Sequence, residues 1–259
     1  LTIGIVIAIL QQITGINSVF FYAPMIFEQS GIGTDASFVQ AILVGITNLV
    51  FTILAIAFID RFGRKPLLIY GVSGIAICMF VLAYGFNSAT YQLTEENMAG
   101  ITMDFDRDQL SPMINVNYDS DVEFKQAVKE SLGTVKAAEY ESELIKAGIN
   151  MNPTLILFGI LGFVASFAIS LGPVMWVLFS ELFPNRVRGL AISFVGLINS
   201  AVSFLVQLVF PWELDNFGNA TTFLIYGLFA VAGLVFILKM IPETKNKTLE
   251  ELEKQLIRK

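Results

Sequence analysis

Residues 153–179 read PTLILFGILGFVASFAISLGPVMWVLF and contain no charged side chain. A helix that crosses a lipid bilayer needs about 20 consecutive, mostly apolar residues, so this stretch predicts a membrane span. Further stretches have the same character, and none carries a charge in its central part: residues 1–27, 37–59, 66–86, 187–210 and 221–241. The sequence therefore predicts an all-α polytopic membrane protein with six transmembrane helices.

The composition agrees with this fold class and excludes several functions. Of the 259 residues, 55% are hydrophobic and 15% are charged, whereas soluble domains have about 25% charged residues. Cys78 is the single cysteine and there is no histidine. A disulfide framework, a cysteine-based zinc site, a histidine metal site and a histidine-dependent catalytic triad are therefore excluded. We predict neither a cofactor nor a nucleic-acid partner.

The acidity of the chain is confined to one segment. Residues 87–152 contain twelve acidic and five basic residues, while the rest of the chain contains ten acidic and eleven basic residues. This segment is long and soluble in character, and it separates the third predicted span from the fourth. Within it, residues 121–147 have helix-forming composition, and Gly133 interrupts them. We therefore predict a large soluble loop with two short helices.

Three aspartates in this loop resemble the start of a calcium-binding loop. Asp104, Asp106 and Asp108 have the alternating spacing of the first ligands. Gln109, however, stands where such a loop requires glycine, and Asn115 stands where it requires a bidentate glutamate. A solvated acidic loop is the better interpretation.

The distribution of basic residues predicts the orientation in the membrane. Lys and Arg are enriched in cytoplasmic loops, and here all the bases outside residues 87–152 fall on one side. They are Arg61, Arg64, Lys65, Arg186, Arg188, Lys239, Lys245, Lys247, Lys254, Arg258 and Lys259. We expect that side and the tail 242–259 to be cytoplasmic, and residues 87–152 to be extracytoplasmic. The chain begins at Leu1 inside an apolar run that does not resemble a signal peptide, and we expect it to be a fragment or one half of a larger protein.

Uncharged polar residues in the first span suggest a ligand site. Gln11, Gln12 and Asn17 lie within QQITGINSVFFYAP, where Gly15 and Pro24 permit a break in the helix. Burying an amide without a partner costs several kcal/mol, so such residues face a protein interior or a cavity. Their paired donors and acceptors suit a neutral polyhydroxylated ligand. The alternative is that they hydrogen-bond neighbouring helices together.

The fourth span contains a second predicted break. In SLGPVMW, Pro173 removes a backbone hydrogen bond and Gly172 loosens the same turn. Broken helices at mid-membrane are typical of transporters and usually line a cavity. Trp176 could offer its ring to a ligand or anchor the helix at the membrane interface. Asn48 and Asn199 are further candidates, and each could equally hold helices together.

Charged residues at the basic side suggest a conformational contact. The turn DRFGRK includes Arg64, and SELFPNRVRG includes Glu181 and Arg188. Acidic and basic groups at neighbouring helix ends can pair, and such pairs can favour one conformation. Membrane anchoring alone explains the bases, but it does not explain Glu181.

The motifs QQITGIN, FFYAP, DRFGRK, GPVMW, SELFPNRVRG and PETKNKTLEELE resemble, in order, the signature set of the sugar porter family within the major facilitator superfamily. The resemblance covers the chain outside residues 87–152. It implies the C-terminal six-helix half of that fold: residues 1–86 as helices seven to nine, and residues 153–241 as helices ten to twelve. It also implies a central monosaccharide site, alternating access and a missing N-terminal six-helix half as partner.

The resemblance also implies roles for individual residues. Sugar-binding positions are matched by Gln11, Gln12, Asn17, Asn48 and Trp176, and cavity positions by Phe167 and Gly172, while Asn199 stands where some members have glutamine. Gating positions are matched by Tyr22 and Pro173, and an inner charge network that holds the outward-open state by Arg64, Glu181 and Arg188. Phe21 and Ser200 depart from the aromatic residues that many members have, which leaves open whether the sugar is a pentose or a hexose.

Two questions stay open at the level of sequence. No Asp or Glu lies in the core of the six spans, so proton symport and uniport are not distinguished. A sugar sensor with the same fold is an alternative to a transporter, whereas an enzyme is disfavoured because the spans lack an activated nucleophile or acid–base pair. We assign the loop 87–152 no function and expect that its removal leaves transport largely unchanged.

Overall fold

The computed structural model describes residues 1–29, 34–98, 101, 107–247 and 251, and the helices and strands below are those of this part of the chain. The α-helices are α1 (Thr2–Ile13), α2 (Ile16–Gln29), α3 (Thr34–Phe62), α4 (Arg64–Asn87), α5 (Glu95–Met98), α6 (Asp121–Gly148), α7 (Pro153–Ala168), α8 (Leu171–Leu182) and α9 (Arg188–Met240). The strands are β1 (Thr90–Gln92), β2 (Asn117–Tyr118) and β3 (Ile149–Asn150).

In the described part of the chain, the apolar helices form six segments that are each long enough to cross a membrane. Four candidate spans are Thr2–Glu28, Phe38–Phe62, Arg64–Asn87 and Pro153–Leu182, and the fifth is the 53-residue α9. At 1.5 Å per residue α9 would be ~80 Å long, more than twice the hydrocarbon core. It is not straight, because Gly218 at φ 77° and ψ 169° divides it into arms 188–217 and 219–240. This confirms the predicted all-α membrane fold.

The first arm of α9 is longer than the sequence predicts. We expected the fifth span to end at residue 210. The helix instead continues through Pro211, and the turn is reduced to Gly218. The extension is possible because both of its acids have partners: the Tyr226 hydroxyl donates to Glu213 at 2.8 Å, and Lys125 lies 3.6 Å from Asp215.

Both predicted helix breaks occur, although the second is displaced. Gly15 at φ 84° separates α1 from α2, while α2 continues through Pro24. In the fourth span the break is at residues 169–170, and Pro173 lies in the first turn of α8 rather than at the break. Proline is tolerated there because the first N–H groups of a helix have no intrahelical acceptor.

The bundle is built around α4, which packs against α7 and α9. Gly71 and Gly74 of α4 allow this close approach, since a Cβ on Gly71 would overlap the Ser170 side chain and one on Gly74 would overlap that of Ser166. Small residues at helix interfaces serve the same purpose in many membrane proteins. In contrast, α3 exposes a long apolar face to the bilayer or to a neighbouring membrane helix: Ile42, Ile46, Leu49, Ile53 and Ile56.

Residues 88–152, here called the loop domain, have a core of their own. The strands form an antiparallel sheet in the order β2-β1-β3, and α6 packs on β1. Tyr91 of β1 and Phe124 and Leu144 of α6 are buried in this core. The break at Gly133 (φ 75°) was predicted, but the sheet was not, because strands of two or three residues are too short to show alternation.

The aspartates that resemble a calcium loop are only partly within the described residues. Asp104 and Asp106 lie outside them, and Asp108 is in a short 3-10 helix, Arg107–Met113. Among the described residues, no group of three or more His, Cys, Asp or Glu side chains is arranged to hold a metal ion.

Candidate functional site

A polar cluster lies where the interrupted first span meets the interrupted fourth span. Gln11 and Gln12 occupy the last turn of α1, just before Gly15, with 5% and 6% of their surfaces exposed. Gln11 Nε2 donates to the carbonyl oxygen of Leu171 at 3.0 Å. Leu171 is the first residue of α8, so Gln11 directly connects the two helix breaks.

Asn199 closes this cluster from α9. Its Nδ2 donates to Gln11 Oε1 at 2.8 Å and to the Ala8 carbonyl at 2.9 Å, and its Oδ1 accepts from Gln12 Nε2 at 3.0 Å. Gln12 Nε2 also lies 3.2 Å from Gln11 Oε1. Three amide side chains from two helices are thus joined into one buried ring of hydrogen bonds.

The cluster continues through the start of α2. Asn17 Nδ2 donates to Gln12 Oε1 and to Ser203 Oγ, both at 2.8 Å. Gln207 Nε2 donates to the same Ser203 Oγ at 2.9 Å. The amide cluster therefore consists of Gln11, Gln12, Asn17, Asn199, Ser203 and Gln207.

The amide cluster is polar but carries no charge. Each carboxamide has two N–H donors and a carbonyl oxygen with two lone pairs, and the mutual hydrogen bonds offset the cost of burying them. A hydroxyl group can replace either kind of partner, because it both donates and accepts. The arrangement can therefore exchange internal hydrogen bonds for bonds to a neutral polyol, whereas an ion would lack a countercharge.

The sequence analysis did not name Ser203 and Gln207 as site residues, although their spacing along the chain could have indicated them. Asn199, Ser203 and Gln207 are spaced by four residues and therefore share one face of α9. We named Ser200 instead, because it stands where many members of the family have an aromatic residue, but Ser200 is exposed.

The other predicted ligand residues make no hydrogen bond to the cluster among the described residues. Asn48 is half-buried on α3 and makes no side-chain hydrogen bond with the described residues. A Cβ on Gly172 would lie 3.4 Å from the ring of Phe167, which is buried near the end of α7. Trp176 is 45% exposed and contacts Phe179 edge-to-face at 5.8 Å between centroids. Its ring reaches toward Gly196 of α9.

Aromatic side chains connect the predicted gating residue to the break in the first span. Tyr22 is half-buried, with its ring centroid 5.2 Å from that of Phe210, and Phe210 in turn stacks on Tyr226 at 6.2 Å. The Tyr226 ring occupies the space that a Cβ on Gly15 would need. Phe21, in contrast, is 69% exposed.

A charged cluster lies at the opposite end of the bundle from the loop domain. Arg64 Nη2 lies 2.8 Å from Glu181 Oε1 and 2.9 Å from Asp60 Oδ1. The Arg64 side chain is 11% exposed, whereas that of Asp60 is 82% exposed. Glu181 also accepts a hydrogen bond of 2.6 Å from Thr244 Oγ1. The contact between Arg64 and Glu181 is therefore the more protected of the two ion pairs.

Glu243, which the sequence reading did not single out, caps this cluster. Its carboxylate accepts from the backbone N–H groups of Arg64 and Lys65 at 3.1 Å, and from those of Thr244 and Lys245 at 2.9 Å. An anion at the N-terminus of α4 is favoured by the helix dipole. The motif PETKN was visible in the sequence, but the tertiary contact that gives its glutamate a role was not.

Arg188 lies at the same end but does not pair with Glu181. Its Nε donates to the carbonyl oxygen of Phe183 at 3.3 Å. It lines, with Arg64 and Glu181, a pocket of about 480 Å³. The structure therefore brings Arg64 and Glu181 into contact and leaves Arg188 at the edge of the pocket.

Comparisons with known proteins give the family. The model of the Sugar (and other) transporter family matches residues 1–104 and 134–256, and the chain belongs to this family of the major facilitator superfamily. It is 35% identical to the D-xylose-proton symporter of Escherichia coli (strain K12) over 259 residues, which covers 98% of the chain and 40% of that protein. It is 30% identical to the arabinose-proton symporter of Bacillus subtilis (strain 168) over 258 residues, which covers 100% of the chain and 43% of that protein.

A solved structure has the same fold. The proton:xylose symporter XylE bound to 6-bromo-6-deoxy-D-glucose superposes with a TM-score of 0.68 at 34% sequence identity, and the match covers 98% of this chain and 42% of that one. The chain thus spans about two fifths of the length of the relatives that it matches.

Proposed function

We propose that this chain forms the C-terminal six-helix half of a secondary transporter that carries a neutral monosaccharide, a pentose or a hexose, across the cytoplasmic membrane. Transport proceeds by alternating access, with this half and an N-terminal six-helix half rocking around a central site. The observation that carries the proposal is the buried amide cluster at the point where two interrupted helices meet.

The amide cluster supplies the hydrogen bonds to the sugar in this proposal. Gln11, Gln12, Asn17 and Asn199 exchange their mutual bonds for bonds to the sugar hydroxyls. Trp176 offers its exposed ring to the apolar face of the sugar. Asn48, Phe167 and Gly172 complete the wall of the site on this side: Asn48 as a further polar contact, Phe167 and Gly172 as cavity-lining positions.

The relatives support the substrate class and the type of activity. Their names are those of transporters of xylose and arabinose, and none of these names describes an enzyme. Both are proton symporters, so proton coupling is part of the proposal. Since the six spans of this chain have no acid in their cores, we place the coupling carboxylate in the N-terminal half.

The orientation and the gates complete the proposal. The basic face, with Arg61, Arg64 and Arg188, is cytoplasmic according to the positive-inside rule, as is the tail 242–259. The loop domain is then extracytoplasmic. Tyr22 closes the extracytoplasmic side of the site, and Pro173, in the first turn of α8, belongs to the break at which α8 changes its angle to α7.

A competition experiment with the full-length transporter tests this function. Labelled xylose uptake into proteoliposomes is measured against a panel of pentoses and hexoses, with and without a pH gradient. We expect saturable uptake that a subset of these sugars inhibits, and acceleration by an inward proton gradient. Correctly inserted protein that leaves the vesicles impermeable to every monosaccharide would contradict the proposal.

The contact between Arg64 and Glu181 gives a prediction about conformation. Replacing Glu181 by Gln keeps an acceptor for Thr244 but removes the charge that pairs with the nearly buried Arg64 guanidinium. Because we propose that this pair holds the outward-open state, Glu181→Gln should raise the inward-open population. The measurement is the rate at which an impermeant maleimide labels a cysteine at Ser180, which lines the pocket, in a Cys78→Ala background.

Asp60→Asn is the matched control for this experiment. It also removes a carboxylate that contacts Arg64, but Asp60 is exposed, and exposed ion pairs contribute little. We expect faster labelling in Glu181→Gln and little change in Asp60→Asn. Equal labelling rates in Glu181→Gln and the parent would show that the pair does not bias the conformation.

A further inference from the structure

The first turn of α6 in the loop domain is fastened to the reversal of α9 at Gly218. The carboxylate of Asp121 accepts from the backbone N–H of Asn219 at 3.0 Å and from Asn219 Nδ2 at 2.8 Å. A Cβ on Gly218 would overlap the Asp121 carboxylate and would lie 3.1 Å from Val122. Glycine is required there by both the positive φ and this close contact.

Two helix N-termini converge on the Asp121 carboxylate. Asp121 is the first residue of α6, and Asn219 begins the second arm of α9. The partial positive charge at each N-terminus favours an anion, which explains why a carboxylate with only 7% of its surface exposed is tolerated. Burial and the Asp121 carboxylate also raise the pKa of the buried Tyr91 hydroxyl above its ordinary value.

One turn further along α6, Lys125 contacts the other arm of α9. Its Nζ lies 3.6 Å from Asp215, near the end of the first arm, and 3.2 Å from Glu141 in the second half of α6. Lys125 is only 3% exposed. Removing the ammonium group would leave Glu141 and Asp215 without this shared positive partner. Asp121 and Lys125 together contact α9 on both sides of its reversal at Gly218.

The loop domain also contacts α2. This helix carries Tyr22 and follows the break at Gly15, and α6 packs against it as well as against α9. The domain is continuous in sequence with α4 and α7, and it has its own hydrophobic core. It therefore connects the ends of several membrane helices on one face.

We propose that the loop domain is a clamp that holds α2 and the α9 reversal at a fixed separation while sugar is transported, with Asp121 and Lys125 as positioning residues. This inference rests on the proposed transport function. It replaces the expectation from sequence that the segment is dispensable. The clamp makes this face of the C-terminal half move as one body, so that a displacement of the gating helix α2 is shared by α9, which carries Asn199.

The first test measures a distance and needs no transport. Spin labels are attached to cysteines at Glu28 at the end of α2, which is partly exposed, and at Asn216 on α9, which is exposed, in the full-length Cys78→Ala protein. We expect one narrow distance distribution that is unchanged by xylose, by glucose and by pH. Lys125→Met should broaden the distribution, Lys125→Arg should preserve it, and the neighbouring Lys129→Met should have no effect.

The second test measures uptake in the same variants. Lys125→Met should lower the maximal uptake rate by about fivefold or more with little change in half-saturation, because gating and not sugar binding is affected. A parent distance that shifts when sugar is added, or a Lys125→Met variant with parental distance and uptake, would overturn the clamp. Absence of uptake in the unlabelled parent would contradict the transport function instead, and the distance measurement would still decide the clamp.

If Lys125→Met does not insert correctly, the clamp can be tested after folding. Cysteines replace Asp121 and Asn219 in the Cys78→Ala background and are joined by oxidation once the protein is in vesicles. A clamp that stays closed predicts that the cross-linked protein transports at least as fast as its reduced form. Uptake that is blocked by the cross-link and recovered on reduction would show that the contact must open in every cycle.

Discussion

Replacing Gln12 by Ala in the full-length transporter should weaken monosaccharide binding by roughly 1–3 kcal/mol, or about 5- to 150-fold in Kd. Gln12 donates to Asn199 and accepts from Asn17, so it joins the α9 side of the amide cluster to the start of α2. In the proposed function its removal deletes a hydrogen bond to the sugar, and it also leaves Asn199 and Asn17 each without one hydrogen-bond partner. Binding is measured by equilibrium titration of the purified protein with xylose and glucose.

Asn17→Ala should have an effect of similar size, because it removes the contact between Gln12 and Ser203. Asn216→Ala is the control, since Asn216 also carries a carboxamide on α9 but is exposed and donates to the carbonyl oxygen of Trp212, outside the amide cluster. It should leave the affinity unchanged. Equal sugar affinity in Gln12→Ala and the parent, with both proteins correctly folded, would show that the amide cluster joins helices and does not bind the ligand.

Local patterns predicted most of the membrane part of this fold. Length and apolar content were enough to place the spans, because a lipid bilayer allows few alternatives to helices. The break at Gly15 was predicted correctly, because a positive φ depends mainly on the type of residue at that one position. The predicted break near Pro173 was a few residues too far along the chain. Proline fits either at a helix break or in the first turn of the next helix, and the neighbouring residues do not show which of the two applies.

What the sequence did not reveal depends on contacts between distant residues. The role of Glu243 arises from its distance to the N-terminus of α4, and the extension of α9 beyond residue 210 arises from Tyr226 and Lys125, which lie far along the chain. The grouping of Gln11 with Asn199 could be anticipated only from the resemblance to the sugar porter family. Periodicity alone would have shown that Ser203 and Gln207 share a face with Asn199, but not which face meets α1.

Replacing Gly15 by Ala should strongly destabilise the protein and disorder the amide cluster. A non-glycine residue at φ 84° is unfavourable by roughly 1–2 kcal/mol, and the new Cβ would overlap the Tyr226 ring, which is buried and hydrogen-bonded to Glu213. Overpacking of this kind adds typically 1–3 kcal/mol. Since Gln12 and Asn17 lie on either side of Gly15, a shift of this turn separates their hydrogen bond. The unfolding temperature and the sugar affinity should therefore fall together.

Gly45→Ala is the matched control, because Gly45 lies in α3 with ordinary helical backbone and open space around its Cβ position. It should change neither quantity appreciably. The double variant Gly15→Ala/Tyr226→Leu separates the two causes: a smaller side chain relieves the overlap but not the positive φ. We expect it to recover part of the lost stability. Normal sugar affinity in Gly15→Ala would show that the break in the first span does not position the amides, and the site would then have to be sought elsewhere in the bundle.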